Sequence, residues 1–130
     1  MDLGRSRTGL ALSDPLGLTC RPFGIVAERD EGRLIAEIVT MVREEEVGEI
    51  VVGLPRPLSG GTNSQVESVI SFAERLKRET GIPVVMWDER FTSKLAETGR
   101  PRGKARDAVA ACYILQSYLD SCSHDTRGDV

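Results

Sequence analysis

Four acidic residues lie at sequence positions where a metal or catalytic site is expected. Asp2 lies in an Asp-Leu-Gly turn, Asp88 and Glu89 follow the apolar run 83–87, and Asp107 falls in the first turn of the last predicted helix. Carboxylates that converge from separate elements repel one another unless a cation lies between them, and hard oxygen ligands select Mg²⁺ or Mn²⁺ rather than Zn²⁺. Such an ion can promote phosphodiester hydrolysis without a histidine. We therefore predict a divalent-metal site for phosphodiester cleavage formed by these four acids, and the spacing leaves open whether Asp88 or Glu89 is the ligand.

The elements that must position these acids follow one another in a recognisable order. They are a β-hairpin (8–13 and 23–26), a helix capped by Asp30 and ended by Gly48, a buried strand (50–54), a helix capped at 62–64, a second buried strand (83–87) and a final helix (104–119). A hairpin followed by two βα units predicts an α/β fold with a mixed sheet, and ligands gather at the carboxyl ends of its parallel strands. Together with a first strand ending at Asp2, this gives a five-stranded sheet, with an antiparallel hairpin edge plus parallel strands, flanked by helices. A strand needs about five residues, and only Met1 precedes Asp2, so the start of the chain looks clipped.

The size and composition of the chain predict one domain and exclude several classes. The 130 residues, 40% hydrophobic and 28% charged, suit a single folded domain over 1–120 with a polar, disordered tail over 121–130. No apolar run approaches the roughly 20 residues of a membrane span, so we expect a cytoplasmic protein without a membrane partner, as a monomer or weak homodimer. The three cysteines lack metal-ligand spacing and are expected to be reduced. His124, the single histidine, lies in the tail, which argues against a histidine general base.

The charge distribution favours a polyanionic partner although the net charge is −3. Residues 28–49 hold eight acids against three arginines, whereas residues 91–106 reverse this balance. The basic residues of that second segment are Lys94, Arg100, Arg102, Lys104 and Arg106. We expect them to bind nucleic acid together with Arg7 and Arg90, whose guanidinium groups can contact phosphate bidentately. The alternative is two ordinary solvated charge clusters.

Four sequence blocks, in order along nearly the whole chain, resemble the YqgF/RuvX family. They begin with Asp2-x-Gly4-x-x-Arg7-Thr8-Gly9, and continue with Ile50-Val51-Val52-Gly53-Leu54-Pro55, Asp88-Glu89-Arg90-Phe91-Thr92 and Asp107-x-x-Ala110-Ala111. The resemblance implies a ribonuclease H-like fold, similar to that of the Holliday-junction resolvase RuvC. It also implies a cytoplasmic nuclease that processes the 5′ end of pre-16S rRNA. By the same resemblance, the active-site positions are Asp2, the acids of the Asp88 block and Asp107. As ligands of the predicted Mg²⁺ or Mn²⁺ we expect Asp2, Glu89 and Asp107.

Other functions remain open on the residues alone. The same acids could cleave branched DNA, as a Holliday-junction resolvase does, and the choice of RNA rests on the family resemblance. A non-catalytic nucleic-acid-binding module of the same fold is a further alternative. Actin-like ATPases also open with an Asp-x-Gly turn, but they need two such domains, and 130 residues supply one.

Overall fold

The computed structural model describes residues 1–4, 6–54, 63–88 and 104–128, except for the side chains of 104–107 and 123–128. The elements follow the predicted order. They are β1 (Thr8–Ser13), β2 (Cys20–Val26), α1 (Glu31–Glu44), β3 (Ile50–Leu54), α2 (Ser64–Thr80), β4 (Val84–Asp88) and α3 (Lys104–Gly128). The last helix continues through 121–128, the greater part of the segment that the sequence predicts as a tail.

The strands form one antiparallel and one parallel pair, as predicted. β1 pairs antiparallel with β2 from Thr8–Val26 to Ser13–Cys20, with a bulge after Leu10. β3 and β4 pair parallel from Ile50–Val84 to Leu54–Asp88. The mixed character of the sheet is therefore confirmed.

The prediction of five strands is not met, because the described residues form four strands in two two-stranded sheets. Met1 and Asp2 lie where the fifth strand was expected. The N–H of Asp2 donates to the carbonyl oxygen of Gly9 at 2.9 Å, and the N–H of Gly9 donates to that of Asp2 at 3.0 Å. On the other side, the amine of Met1 donates to the carbonyl oxygen of Val51 at 2.7 Å, and the N–H of Gly53 donates to that of Met1 at 3.0 Å. Two residues thus connect the two sheets, but they are too few to count as a strand.

Helices cover both faces of the sheet because successive side chains of a strand point to opposite sides. Val52 packs in a core with Met1, Leu10 and residues of α1 and α2. Its neighbour Val51 packs instead against Ala110 and other residues of α3. The apolar run at β3 therefore has the burial expected of a strand covered on both faces.

Side-chain caps define where the helices begin. The Asp30 carboxylate accepts a hydrogen bond from the N–H of Arg33 at 2.9 Å, which confirms the predicted cap of α1. Among the three candidates for α2, the cap is Asn63, whose Oδ1 accepts from the N–H of Val66 at 2.9 Å. Each cap satisfies one of the N–H groups that the first helical turn leaves without an intrahelical partner.

The helices also differ in how they end. α2 stops at Gly81, which takes the predicted left-handed conformation (φ 73°). The prediction that Gly48 ends α1 is wrong, because that helix stops at Glu44 and Glu46 has a φ of 53°. Consecutive glutamates repel one another and meet the negative end of the helix dipole, which explains the earlier stop.

Two cysteines that are distant in sequence meet between β2 and α3. The Sγ atoms of Cys20 and Cys112 are 2.9 Å apart, and none of the three cysteines is in a disulfide. Burial, followed by the hydrogen bond with Cys112, raises the pKa of the Cys20 thiol to about 12. This thiol therefore stays protonated at neutral pH and contributes to packing. No helix in the described part of the chain combines the length and the apolar character needed to cross a membrane.

Replacing Thr8 with valine is expected to stabilise the protein. Thr8 is fully buried, and among the described residues its Oγ1 has no hydrogen-bond partner. Because an unsatisfied buried hydroxyl is costly, Thr8→Val should raise the free energy of unfolding by about 1 kcal/mol in urea denaturation. Thr80→Val is the matched control. Its hydroxyl donates to the carbonyl oxygen of Leu76 at 2.7 Å, so this variant should lose about 1 kcal/mol. Destabilisation by both changes would contradict the account of Thr8.

Candidate metal and nucleic-acid site

Asp2 is fixed by the backbone on both of its sides. Its own N–H and C=O pair with Gly9, while the preceding Met1 pairs with β3. The turn that follows requires glycine at position 4, because a Cβ there would clash with the carbonyl oxygen of Arg7. The Asp-x-Gly spacing thus has a local steric cause. The Asp2 residue is half-buried at the end of the sheet.

Asp88 lies at the same end of the sheet, at the carboxyl end of β4. It is the last residue of that strand and pairs with Leu54 of β3. Along β4, Trp87 packs on the side of α3, so the alternation of the strand turns Asp88 toward the side of α1 and α2. Asp2 follows Met1, which packs toward α1 and α2, and is therefore turned toward α3. The structure brings Asp2 and Asp88 to one end of the sheet, and the alternation of side chains places them on opposite faces.

The direction of α3 follows from its contacts with the sheet. The Tyr118 hydroxyl donates to Oε1 of Glu49, the residue just before β3, at 3.1 Å. Nearer the start of the helix, Ala110 and Ile114 pack against Val51. The helix therefore runs so that its first turn, which includes position 107, points toward the end of the sheet where Asp2 lies.

A hydrogen-bonded aromatic cluster attaches the end of β4 to α3. The Trp87 Nε1 donates to Ser117 Oγ at 3.0 Å. The indole also meets the Tyr118 ring edge to face, with 5.5 Å between ring centroids. The sequence favoured core packing for Trp87, and the tryptophan packs in this way. The role of Ser117 was missed, because a partner 30 positions away leaves no signal in local spacing.

The remaining predicted residues fall into three groups. Outside the described residues lie Glu89, Arg90, Lys94, Arg100 and Arg102. In α3, the backbone of Lys104, Arg106 and Asp107 is described without their side chains. Arg7 is exposed on the turn next to Asp2.

Within the described part of the chain, no three acidic, histidine or cysteine side chains are gathered as metal ligands. Asp2 nevertheless fits the predicted ion, since a half-buried carboxylate offers the hard oxygen that Mg²⁺ and Mn²⁺ prefer. Its backbone is fixed by four hydrogen bonds of 2.7–3.0 Å at Met1 and Asp2. The element that carries Asp107 also points to this end.

Sequence comparisons match the chain to a resolvase family and to bacterial proteins that are named as nucleases. A family model described as RuvX, Holliday junction resolvase, matches residues 1–121. A relative from Syntrophus aciditrophicus, named "Putative pre-16S rRNA nuclease", is 41% identical over 96% of this chain and 89% of its own length. A relative of the same name from Anaeromyxobacter sp. is 42% identical over 92% of this chain and 93% of its own length.

Two solved structures of RuvC share the fold of this chain. The Thermus thermophilus RuvC structure superposes with a TM-score of 0.61 at 13% identity, over 95% of this chain and 93% of its own. The structure of T. thermophilus RuvC in complex with a Holliday junction substrate gives a TM-score of 0.60 at 13% identity, over 94% of this chain and 92% of its own. The resemblance in fold therefore extends over almost the whole of both chains.

Removing the Ser117 hydroxyl should weaken the attachment of the end of β4 to α3. Ser117→Ala deletes the hydrogen bond from Trp87 and is expected to lower the free energy of unfolding by about 1 kcal/mol. Tryptophan fluorescence during urea denaturation measures this effect, since Trp87 is the single tryptophan. The matched control is Ser71→Ala on the exposed face of α2, which should stay within about 0.5 kcal/mol of the parent. Equal effects of the two changes would contradict a role for the Trp87–Ser117 bond.

Proposed function

Since this chain belongs to the RuvX family, as its match over residues 1–121 establishes, we propose that it is an endonuclease that processes the 5′ end of pre-16S rRNA. The relatives that share about two fifths of its residues carry the name of that activity. The reaction is hydrolysis of a phosphodiester bond, and the protein acts in the cytoplasm as a monomer or weak homodimer.

The observation that carries the proposal is the placement of Asp2. Its backbone pairs with Gly9, and its neighbour Met1 pairs with β3, so Asp2 lies at the sheet end where β3 and β4 finish. In sheets with parallel strands, this end is the usual place for ligands. A polyanionic substrate would bring its phosphate toward this acid only if cationic groups compensated the charge repulsion.

The proposed ion is Mg²⁺ or Mn²⁺, with Asp2, Glu89 and Asp107 as its ligands. Glu89 is proposed rather than Asp88 because Trp87 packs on the α3 side, so strand alternation turns Asp88 toward the side of α1 and α2, away from α3. Asp107 belongs to α3 itself. When bound, such an ion lowers the pKa of water and stabilises the charge that develops on phosphate oxygens. The three carboxylates would position the ion, and Asp88, at the end of the adjacent strand, would contribute only its negative charge nearby.

Basic residues near this end are proposed to hold the substrate backbone. Arg7 is exposed on the turn next to Asp2, and Arg90 follows Asp88 and Glu89 in the sequence. The basic segment comprises Lys94, Arg100, Arg102, Lys104 and Arg106. Cationic side chains bind phosphates independently of sequence and release counterions, so they position a substrate rather than select its bases.

Branched DNA is the second candidate substrate. It is favoured by the description of the family as Holliday junction resolvases and by the fold shared with RuvC. A single test separates the candidates: precursor ribosomal RNA and four-way DNA junctions are compared as substrates under identical conditions. A protein that binds either one without cutting it would be the non-catalytic module instead.

Carboxylate variants test the proposed metal ligands. Asp2→Asn, Asp107→Asn and Glu89→Gln should each lower the cleavage rate with Mg²⁺ by roughly 100-fold or more, since loss of even the outer partners of a metal costs about 10–100-fold. Asp88→Asn should cost less, because that side chain is directed to the opposite face. The control Glu37→Gln removes an exposed carboxylate of α1 and should leave the rate unchanged. EDTA should abolish cleavage and added Mn²⁺ should restore it.

Two results would contradict this assignment. Full activity of Asp2→Asn, with the parent's circular dichroism spectrum, would exclude Asp2 as a ligand. A larger loss in Asp88→Asn than in Glu89→Gln would reverse the assignment between these two acids.

The basic segment is tested through the salt dependence of binding. Arg100→Ala and Arg102→Ala should weaken RNA binding similarly for all sequences, and each should reduce the slope of log K against log salt by about 1 if its phosphate contact is lost. Fluorescence anisotropy over a salt series measures both effects. Arg78→Ala at the end of α2 serves as a control for loss of a positive charge. An unchanged slope in both segment variants would remove this segment from the substrate site.

A further inference from the structure

Two half-buried thiols meet where β2 begins beside α3. Cys20 is the first residue of β2 and pairs with Ser13, and Cys112 lies in α3. Their Sγ atoms are 2.9 Å apart, and the Cys20 thiol also donates to the carbonyl oxygen of Cys112 at 3.1 Å. A disulfide bond is about 2.05 Å long, so the two sulfurs need to approach by only about 1 Å to bond.

Contacts that do not involve sulfur hold these two segments together. Ala111 and Ile114, which lie near Cys112 in α3, are fully buried, and Ile114 packs against Val51 of β3. One turn further along the helix, Gln116 Nε2 donates to the carbonyl oxygen of Leu18, just before β2, at 3.0 Å. The folded backbone therefore keeps the two thiols adjacent whether or not a bond joins them.

We propose that Cys20 and Cys112 form an oxidation site at which a hydroperoxide converts the thiol pair into an intramolecular disulfide. In the first step, the sulfur of Cys112 attacks one peroxide oxygen and the O–O bond breaks. The other oxygen leaves as water with the thiol proton, and Cys112 becomes a sulfenic acid. In the second step, the sulfur of Cys20 attacks the sulfur of this sulfenic acid, and the S–O bond breaks. The hydroxyl group leaves as a second water with the proton of Cys20, so the two thiols are oxidised and one peroxide is reduced.

The surroundings of Cys20 decide the order of the two thiols. Burial raises the pKa of the Cys20 thiol, and its hydrogen bond with Cys112 raises that pKa further. Because the thiolate is the more reactive form, a thiol that keeps its proton at neutral pH is slow to attack peroxide. Cys112 is therefore assigned the first attack and Cys20 the resolving step.

The third cysteine offers a matched control. Cys122 is exposed and lies ten positions after Cys112 in the same helix. At about 1.5 Å of rise per residue, their Cα atoms are roughly 15 Å apart. A disulfide needs a Cα separation below about 7 Å, so Cys122 cannot resolve a sulfenic acid at Cys112 of its own chain.

The disulfide is expected to stabilise the fold. It joins positions 92 residues apart in sequence, and a cross-link over so long a loop restricts the unfolded chain. α3 would then be attached covalently to β2 in addition to its apolar contacts with Val51 and Trp87. A thiol pair in a reducing compartment is usually reduced at rest and oxidised transiently, which agrees with the reduced cysteines expected from the sequence.

The test treats the full chain with hydrogen peroxide and maps cross-linked peptides by mass spectrometry. The parent and Cys122→Ser should form the Cys20–Cys112 cross-link, and more slowly in urea than in the folded state. The thermal midpoint of each should rise by about 5 °C or more over its own reduced form, and dithiothreitol should reverse the rise.

The two single variants of the pair test the assigned order. Cys20→Ser and Cys112→Ser should show no rise in midpoint, each relative to its own untreated form, so any effect of the substitution on folding is removed from the comparison. In Cys20→Ser, a sulfenic acid at Cys112 should persist and react with dimedone. In Cys112→Ser, Cys20 should give little such adduct.

Three results would overturn the proposal. One is oxidation of the parent without the Cys20–Cys112 cross-link, or with cross-links only between chains. Another is cross-linking that is faster in urea, because the native contact would then not be what brings the sulfurs together. The third is a cross-linked form whose midpoint is unchanged or lower. A dimedone adduct at Cys20 in Cys112→Ser, with none at Cys112 in Cys20→Ser, would contradict the order of the two steps.

Discussion

The pairing of Met1 and Asp2 with strands on both sides is the constraint on which the rest of the structure depends. Four backbone hydrogen bonds of 2.7–3.0 Å at these residues connect the hairpin β1–β2 to the parallel pair β3–β4. They fix the position of Asp2 along the strand direction relative to Gly53 of β3, and therefore relative to the carboxyl end of β4. The location of the proposed site is a consequence of this short bridge.

The alternation of side chains then distributes the functional groups over two faces. Val51 and Trp87 turn toward α3, whereas Val52 and Met1 turn toward α1 and α2. A helix placed by such contacts has a defined direction, and α3 points its first turn toward the acid at Asp2. The apolar packing of α3 therefore does more than stabilise the domain, because it sets the direction in which the first turn of the helix points.

Local patterns predicted much of this arrangement. The order of elements, the caps at Asp30 and Gly81 and the two kinds of strand pairing depend on residues that are close in sequence or on simple topological rules. The early end of α1 was missed because charge repulsion among consecutive glutamates prevailed over the signal from Gly48. The bond between Trp87 and Ser117 and the contact of Cys20 with Cys112 were also missed, since each depends on how α3 crosses the sheet. For the site, sequence placed Asp2 and Asp88 at one sheet end, but the face of each acid required the register of the strands.

The most direct test of the central claim, that Asp2 and α3 hold one divalent ion at the end of the sheet, is anomalous scattering from crystals soaked in Mn²⁺. A peak is expected within roughly 2.5 Å of an Asp2 carboxylate oxygen, the outer range for oxygen ligands, with Asp107 and Glu89 as further ligands. A well-occupied Mn²⁺ peak elsewhere, with none at Asp2 in a protein that cleaves RNA under the same conditions, would contradict it.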